Sequence, residues 1–281
     1  MSRVYEALRQ SEVERGVSTT FLDPDSLLSG VAPVRQPVPE PEALVWEEIV
    51  PFKPVVRTES RLVAFDDDNG LGAEKFRLLR ARLRNLQEPR VRRVVVTSAV
   101  PEEGKTLVSM NLAVSLSKHT TDKVLLLEGD LRKPMLAEHF GIAAVRGLDD
   151  WFASNEPVSR FLYRVEGLQL WILPAGVANP NPLAILQSPR FSDLYRQLSQ
   201  GFDWILIDAP PLLPMADVNF WSRQADGLLL VVREGKAARK ALQKGLETLD
   251  NPTVLGVVFN GATNPERHYY ESYYAKGTAR T

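Results

Sequence analysis

Residues 91–117 read VRRVVVTSAVPEEGKTLVSMNLAVSLS. The β-rich apolar run at 91–99 feeds a short turn containing Gly104, and a helical segment follows through about Ser117. Ala99 to Thr106, AVPEEGKT, has Walker A spacing, with Ala in place of the first Gly. In a strand–loop–helix of this kind the backbone of the loop and of the helix start surrounds phosphate. Here those residues are Pro101, Glu102, Glu103, Gly104, Lys105, Thr106 and Leu107. Lys105 is expected against the β and γ phosphates of a nucleotide, and Thr106 is expected to offer its hydroxyl to Mg²⁺. The other reading of the stretch is an ordinary strand–turn–helix connection.

The pattern continues on both sides. AEKFRLLRARLRNLQ carries Phe76, Leu79, Leu83 and Leu86 at helical spacing. Further strands are expected at 123–130, 168–176, 204–211, 226–235 and 253–262, with helices near 183–198 and 237–249. Continuous apolar strands separated by helices predict an α/β fold of the P-loop NTPase type, a mostly parallel sheet with helices on both faces. Such sheets bind ligands at the C-terminal ends of their strands. Two strands deliver acids there. ILID ends at Asp208 in the Walker B form, expected to act on Mg²⁺, and LLLEGDLRKP ends with Glu128 and Asp130, suited to Mg²⁺ and to accepting a proton. Alternatively, these acids are turn residues or helix caps.

Composition limits the chemistry. Lys plus Arg number 34 against 35 acids, a net charge of −1, which argues against a partner as highly charged as nucleic acid. Cys is absent, so disulfides, thiol nucleophiles and cysteine-ligated metals are excluded, and the three His are too scattered for a metal cluster. No apolar run reaches the roughly 18 residues of a membrane helix. The N-terminus lacks the plan of a secretory signal, so a cytoplasmic location is expected. Residues 1–16 suit a short helix. Residues 17–69, containing PVRQPVPEPEALVWEEIVPFKP, suit a proline-rich linker that joins a sheet only with difficulty, with Trp46 and Phe52 as surface anchors. The P-loop domain is expected over 70–262, and 263–281 reads as a flexible tail. Four of the seven Tyr lie on that tail, at Tyr269, Tyr270, Tyr273 and Tyr274.

Taken together these motifs resemble the bacterial tyrosine kinases of capsule and exopolysaccharide systems, the BY-kinases. TSAVPEEGKT is similar to their Walker A loop, LLLEGDLRKP to their Walker A′, and DWILIDAPP to their Walker B. EKFRLLR is similar to their E-x-x-R-x-x-R helix, and HYYESYY to their C-terminal tyrosine cluster. ANPNPLAILQSPRF resembles the segment before Walker B, and MSRVYEALRQSEVERG the start of stand-alone members. The resemblance covers Gly70 to the C-terminus. It implies ATP and Mg²⁺ as cofactors, with Lys105 and Thr106 on ATP–Mg²⁺ and Asp130 and Asp208 on the metal. It makes Glu128 a candidate base for the tyrosine hydroxyl and puts Arg132 near the phosphates. It further implies a homo-oligomeric ring formed through Glu74, Arg77 and Arg80, each tail being phosphorylated in a neighbour's site. The other implied partners are a separate membrane-embedded chain-length protein, which recruits the kinase to the inner face of the membrane, and a cognate tyrosine phosphatase.

Two residues depart from the family pattern. Glu128 replaces Asp, and Glu102 replaces a frequent Gly and must point away from phosphate. Two other functions compete with the kinase. A partition-type positioning ATPase would carry an extra lysine early in the loop, where this chain has Ala99, Val100 and Pro101. A catalytically weak nucleotide-binding scaffold is the other.

Overall fold

A computed structural model describes residues 43–49, 51–56, 60–66, 70–86, 91–143, 145–213, 217–236, 239–250 and 252–261. The expected N-terminal helix (1–16), most of the expected linker and the tail tyrosines Tyr269, Tyr270, Tyr273 and Tyr274 lie outside the described residues.

Eight strands form one sheet: β1 (Pro51–Phe52), β2 (Arg93–Ser98), β3 (Val124–Glu128), β4 (Tyr163–Val165), β5 (Leu170–Leu173), β6 (Trp204–Asp208), β7 (Gly227–Arg233) and β8 (Val254–Asn260). Their spatial order is β1-β4-β5-β3-β6-β2-β7-β8. From β5 to β8 every pairing is parallel, while β4 runs antiparallel to β5 and carries β1 parallel to itself at the edge. The six long strands are those expected from the sequence. Strands β2, β3, β5 and β6 are buried nearly throughout, as their continuous apolar runs require of strands covered on both faces.

The described helices are α1 (Val63–Asp66), α2 (Leu71–Arg84), α3 (Lys105–Ser117), α4 (Leu136–Phe140), α5 (Leu148–Ala153), α6 (Pro182–Leu186), α7 (Pro189–Gly201), α8 (Asp217–Gln224) and α9 (Arg239–Glu247). Helix α3 is buried from Val108 to Ser117, because α1 and α2 cover the side that the sheet leaves open. Its apolar residues therefore run around the helix rather than along one stripe. Each large side chain buried here contributes about 1.5–3 kcal/mol, which fixes the helix that begins at the phosphate loop.

Two features differ from the sequence expectation. The helix expected near 183–198 is two helices. Ser188 Oγ accepts from Phe191 N at 3.1 Å and Pro189 opens α7, so a cap and a proline end one helix and start the next. The described part of the expected linker also packs into the domain. Leu44, Ile49, Leu62 and Ala64 are buried. Trp46 meets Trp171 and Phe202 edge-on at 5.4 Å each, with Lys123 Nζ 3.8 Å from the centre of its ring. Phe52 meets Tyr163 from the edge strand β1, where the missing N–H of Pro51 is tolerated.

Candidate active site

Sheet register assembles the site. Glu128 pairs with Asp208 across β3 and β6, and Asp208 pairs with Val96 across β6 and β2. The Walker A′ acid, the Walker B acid and the strand feeding the phosphate loop thus end side by side. Thr97 Oγ1 donates to Pro210 O at 2.7 Å, and Leu212 N to Ser98 O at 2.8 Å, which ties the two strand ends together.

The loop leaves Ser98 and turns into α3 at Gly104, whose φ of +92° is a left-handed value that suits glycine. A Cβ there would also lie 2.0 Å from Asn260 Nδ2. The first intrahelical bond is Val108 N to Gly104 O, at 3.0 Å, so the N–H groups of Gly104 to Leu107 have no carbonyl within the helix. Glu102 also has a positive φ, +63°, uncommon for a residue other than Gly. Its carboxylate points outward to Lys236 Nζ at 2.6 Å, and that bond holds its pKa below the ordinary carboxylate value.

Beside the loop, Lys105 Nζ lies 3.0 Å from Asp130 Oδ2. Burial pulls the Lys105 pKa down, but the charges of Asp208 and Asp130 outweigh it, and the ammonium form is favoured. Asp208 is 1% exposed. Its Oδ1 accepts from Ser109 Oγ at 3.0 Å. Burial nevertheless raises its pKa, with Lys105 opposing. Backbone N–H groups of Gly129 and Asp130 donate to Asp208 O at 2.9 and 3.0 Å, which fixes Asp130 against β6.

These groups suit a magnesium nucleotide. Among the described residues no group of three or more His, Cys, Asp or Glu is arranged to hold a metal unaided. Mg²⁺ needs no such cage, because it is commonly bound by one or two carboxylates together with substrate phosphates and water. The Thr106 hydroxyl and the Asp130 and Asp208 carboxylates are the groups for the metal, and the half-buried Lys105 ammonium and the N–H groups from Gly104 to Leu107 are those for phosphate.

No family model matches the chain. Over 223 residues it is 29% identical to tyrosine-protein kinase YwqD of Bacillus subtilis, covering 78% of this chain and 94% of that protein. Over 170 residues it is 32% identical to tyrosine-protein kinase CpsD of Streptococcus pneumoniae, covering 59% of this chain and 74% of that one. The chain belongs to the bacterial tyrosine kinases. The kinase domain of the Escherichia coli tyrosine kinase ETK superposes with a TM-score of 0.65 at 25% identity, over 72% of this chain and 82% of that domain. As a member of the family the chain is a protein-tyrosine kinase with a nucleotide-binding P-loop.

Within this bacterial tyrosine kinase the structure brings Lys105, Thr106, Asp130 and Asp208 together. It gives two other expected residues different partners. Glu128 is 1% exposed, and both its oxygens are occupied. Oε1 accepts from Met135 N at 2.5 Å and Leu136 N at 2.8 Å, and Oε2 from Ala175 N at 2.8 Å. Burial pushes its pKa up to about 7 against the opposing pull of those three bonds. Glu128 thus joins β3, the start of α4 and the loop after β5. The extra methylene of Glu over Asp gives it that reach.

Arg132 is likewise engaged away from Lys105. Its Nε lies 3.0 Å from Asp217 Oδ2, and its Nη1 donates to Pro180 O at 2.7 Å. On α2, Arg77 Nε donates to Glu74 Oε2 at 2.8 Å within the helix, and Arg80 Nη1 donates to Ser115 O of α3 at 2.7 Å. Burial, with Arg84 and Arg77 nearby, lowers the Arg80 pKa. Sequence reasoning missed Ser109 and Asp217. The signal for Ser109 was its place one helical turn after Lys105, on the same face of α3. For Asp217 the sequence offers none, since its partner Arg132 lies 85 residues away.

Proposed function

We propose that this chain is an ATP-dependent tyrosine autokinase that phosphorylates Tyr269, Tyr270, Tyr273 and Tyr274, with the tail of one copy entering the site of another. The observation that carries the reading is the meeting of the Lys105 ammonium with the Asp130 and Asp208 carboxylates where the phosphate loop opens α3. Bound Mg-ATP supplies the transferable phosphoryl group and the cation that draws charge from it. Lys105 and the N–H groups from Gly104 to Leu107 hold the phosphates, while Thr106, Asp130 and Asp208 are the groups toward Mg²⁺. Asp130 is presently held by Lys105, and polyphosphate competes with it for that ammonium.

A tyrosine hydroxyl with a pKa near 10 is a weak nucleophile, but a loose phosphoryl-transfer transition state asks more of positioning than of basicity. The strut role of Glu128 accords with that. Each phosphate adds close to two negative charges, so a modified tail is repelled by the site's own acids and leaves it.

In the cell the kinase regulates exopolysaccharide or capsule polymerisation or export. It works as a homo-oligomeric ring joined through Glu74, Arg77 and Arg80, and a cognate phosphatase resets its tail. No described helix is long and apolar enough to cross a membrane. In this reading a separate membrane-embedded activator brings the kinase to the inner face. The family resemblance of the motifs supports this setting, and the curated relatives support the kinase activity.

Mixing two defective chains tests the core of the proposal. A Lys105→Met chain with an intact tail is incubated with Mg-ATP and a chain whose four tail tyrosines are Phe. Phosphotyrosine on the Lys105→Met chain is expected. Modification only of chains that carry both an intact loop and an intact tail would sink transfer between copies.

A further inference from the structure

We propose that Glu103 and Asn260 are positioning residues that preset the phosphate loop from the ends of β7 and β8, without themselves touching the nucleotide. The inference rests on the nucleotide reading of the loop. Glu103 lies inside the loop, yet it is 0% exposed. Its Oε2 accepts from Val100 N at 3.0 Å, which closes the loop upon itself. Its Oε1 accepts from Arg233 N at 3.2 Å, which ties the closed loop to the last residue of β7. Its backbone carbonyl accepts from Asn260 Nδ2 at 2.8 Å, and Asn260 is the last residue of β8. The same amide nitrogen occupies the space a Cβ on Gly104 would need.

A carboxylate buried in a phosphate loop repels the ligand that the loop serves. Its presence is intelligible if its charge is spent on two N–H groups, and the shape it imposes is worth more than the repulsion. The N–H groups from Gly104 to Leu107 bind polyphosphate best when they are aimed before it arrives, because ordering the loop at binding would cost affinity. Glu103 ties the loop internally and to β7, and Asn260 ties it to β8 just ahead of the helix. Both residues act through Gly104 and the backbone.

The test uses the full chain with Glu103→Gln, Glu103→Ala and Asn260→Ala. For each, the affinities for Mg-ATP and for inorganic tripolyphosphate with Mg²⁺ are measured, together with the melting temperature without ligand. Tripolyphosphate has no base or ribose, so it reports on the phosphate cradle alone. Glu103→Ala and Asn260→Ala are expected to weaken both ligands by a similar factor, on the order of tenfold or more, since part-buried donors lose the acceptor that aims the loop or the carbonyl loses its donor. Glu103→Gln should fall between wild type and Ala, because its amide oxygen keeps one of the two bonds. Melting without ligand should change by only a few degrees. If Glu103→Ala does not fold, Glu103→Gln and Asn260→Ala carry the comparison.

Unchanged affinity in the folded variants would overturn the proposal. So would a loss confined to Mg-ATP with tripolyphosphate binding intact, which would assign Asn260 to the base. A wild-type chain that binds neither ligand would instead remove the nucleotide reading, and the proposal with it.

Discussion

Replacing Glu128 with Gln separates a strut from a proton acceptor. The carboxylate takes two N–H groups on Oε1, from Met135 and Leu136, and one on Oε2, from Ala175. A carboxamide of the same shape keeps its oxygen against the first pair and turns its NH₂ toward Ala175 N. One bond is lost and two donors face each other in a site that is 1% exposed. Leaving one buried donor unsatisfied costs about 1–3 kcal/mol. At about 2–4 °C per kcal/mol for a domain of this size, the melting temperature should fall by roughly 5 °C. Tyrosine phosphorylation, measured as an initial rate at a temperature well below both transitions, should fall less than about tenfold. Loss of a general base typically costs about 10²–10⁴ in rate. An unchanged melting temperature with a rate loss of two or more orders of magnitude would refute the strut and restore Glu128 as the base.

Four further outcomes follow from the same geometry. Lys105→Met should lose the thermal stabilisation that Mg-ATP gives wild type, worth about 2.7 kcal/mol at a hundredfold excess over Kd; differential scanning fluorimetry with and without nucleotide reads it. Glu102→Gly removes a non-glycine residue from φ +63°. With its exposed Lys236 pair counting for little, stability should rise by roughly 1 kcal/mol in denaturant titration. Trp46→Ala removes a half-buried ring packed against Trp171 and Phe202 and should cost about 2 kcal/mol, or a melting temperature lower by about 5 °C. Burial holds the His139 imidazole below its ordinary pKa, against smaller opposing pulls from Glu138 and Asp208. The folded state therefore favours the neutral ring, and its contribution is present above about pH 6.5 and lost as pH falls. Between pH 7 and 5 the melting temperature of His139→Gln should drop less than that of wild type.

The central sheet was legible because each of its long strands is a continuous apolar run, and the phosphate site because its loop needs a fixed spacing between a strand and a helix. What the sequence concealed was set by contacts distant along the chain. Trp46 and Phe52 sit among prolines, which argues for a linker. Both are expected as surface anchors and are half-buried as such, but their partners Trp171, Phe202 and Tyr163 lie more than a hundred residues on and could not be read from spacing. Strand β4 has three residues and β1 only two, too short for alternation to register. Among the site residues, motif spacing placed Lys105, Thr106, Asp130 and Asp208 beside one another. It gave no sign that Glu128 reaches the backbone at Met135, Leu136 and Ala175, or that Arg132 is drawn to Asp217. Spacing tells which side chains leave one strand end, and the loops that return over that end decide where each side chain points.

The most direct measurement of the central claim is a map of phosphotyrosine by mass spectrometry after the purified chain is given Mg-ATP, with and without the cytoplasmic segment of the proposed activator. The account predicts phosphate on tyrosines of the group Tyr269, Tyr270, Tyr273 and Tyr274, and none on Lys105→Met incubated alone. Intact binding of Mg-ATP with no phosphotyrosine in either condition would contradict it.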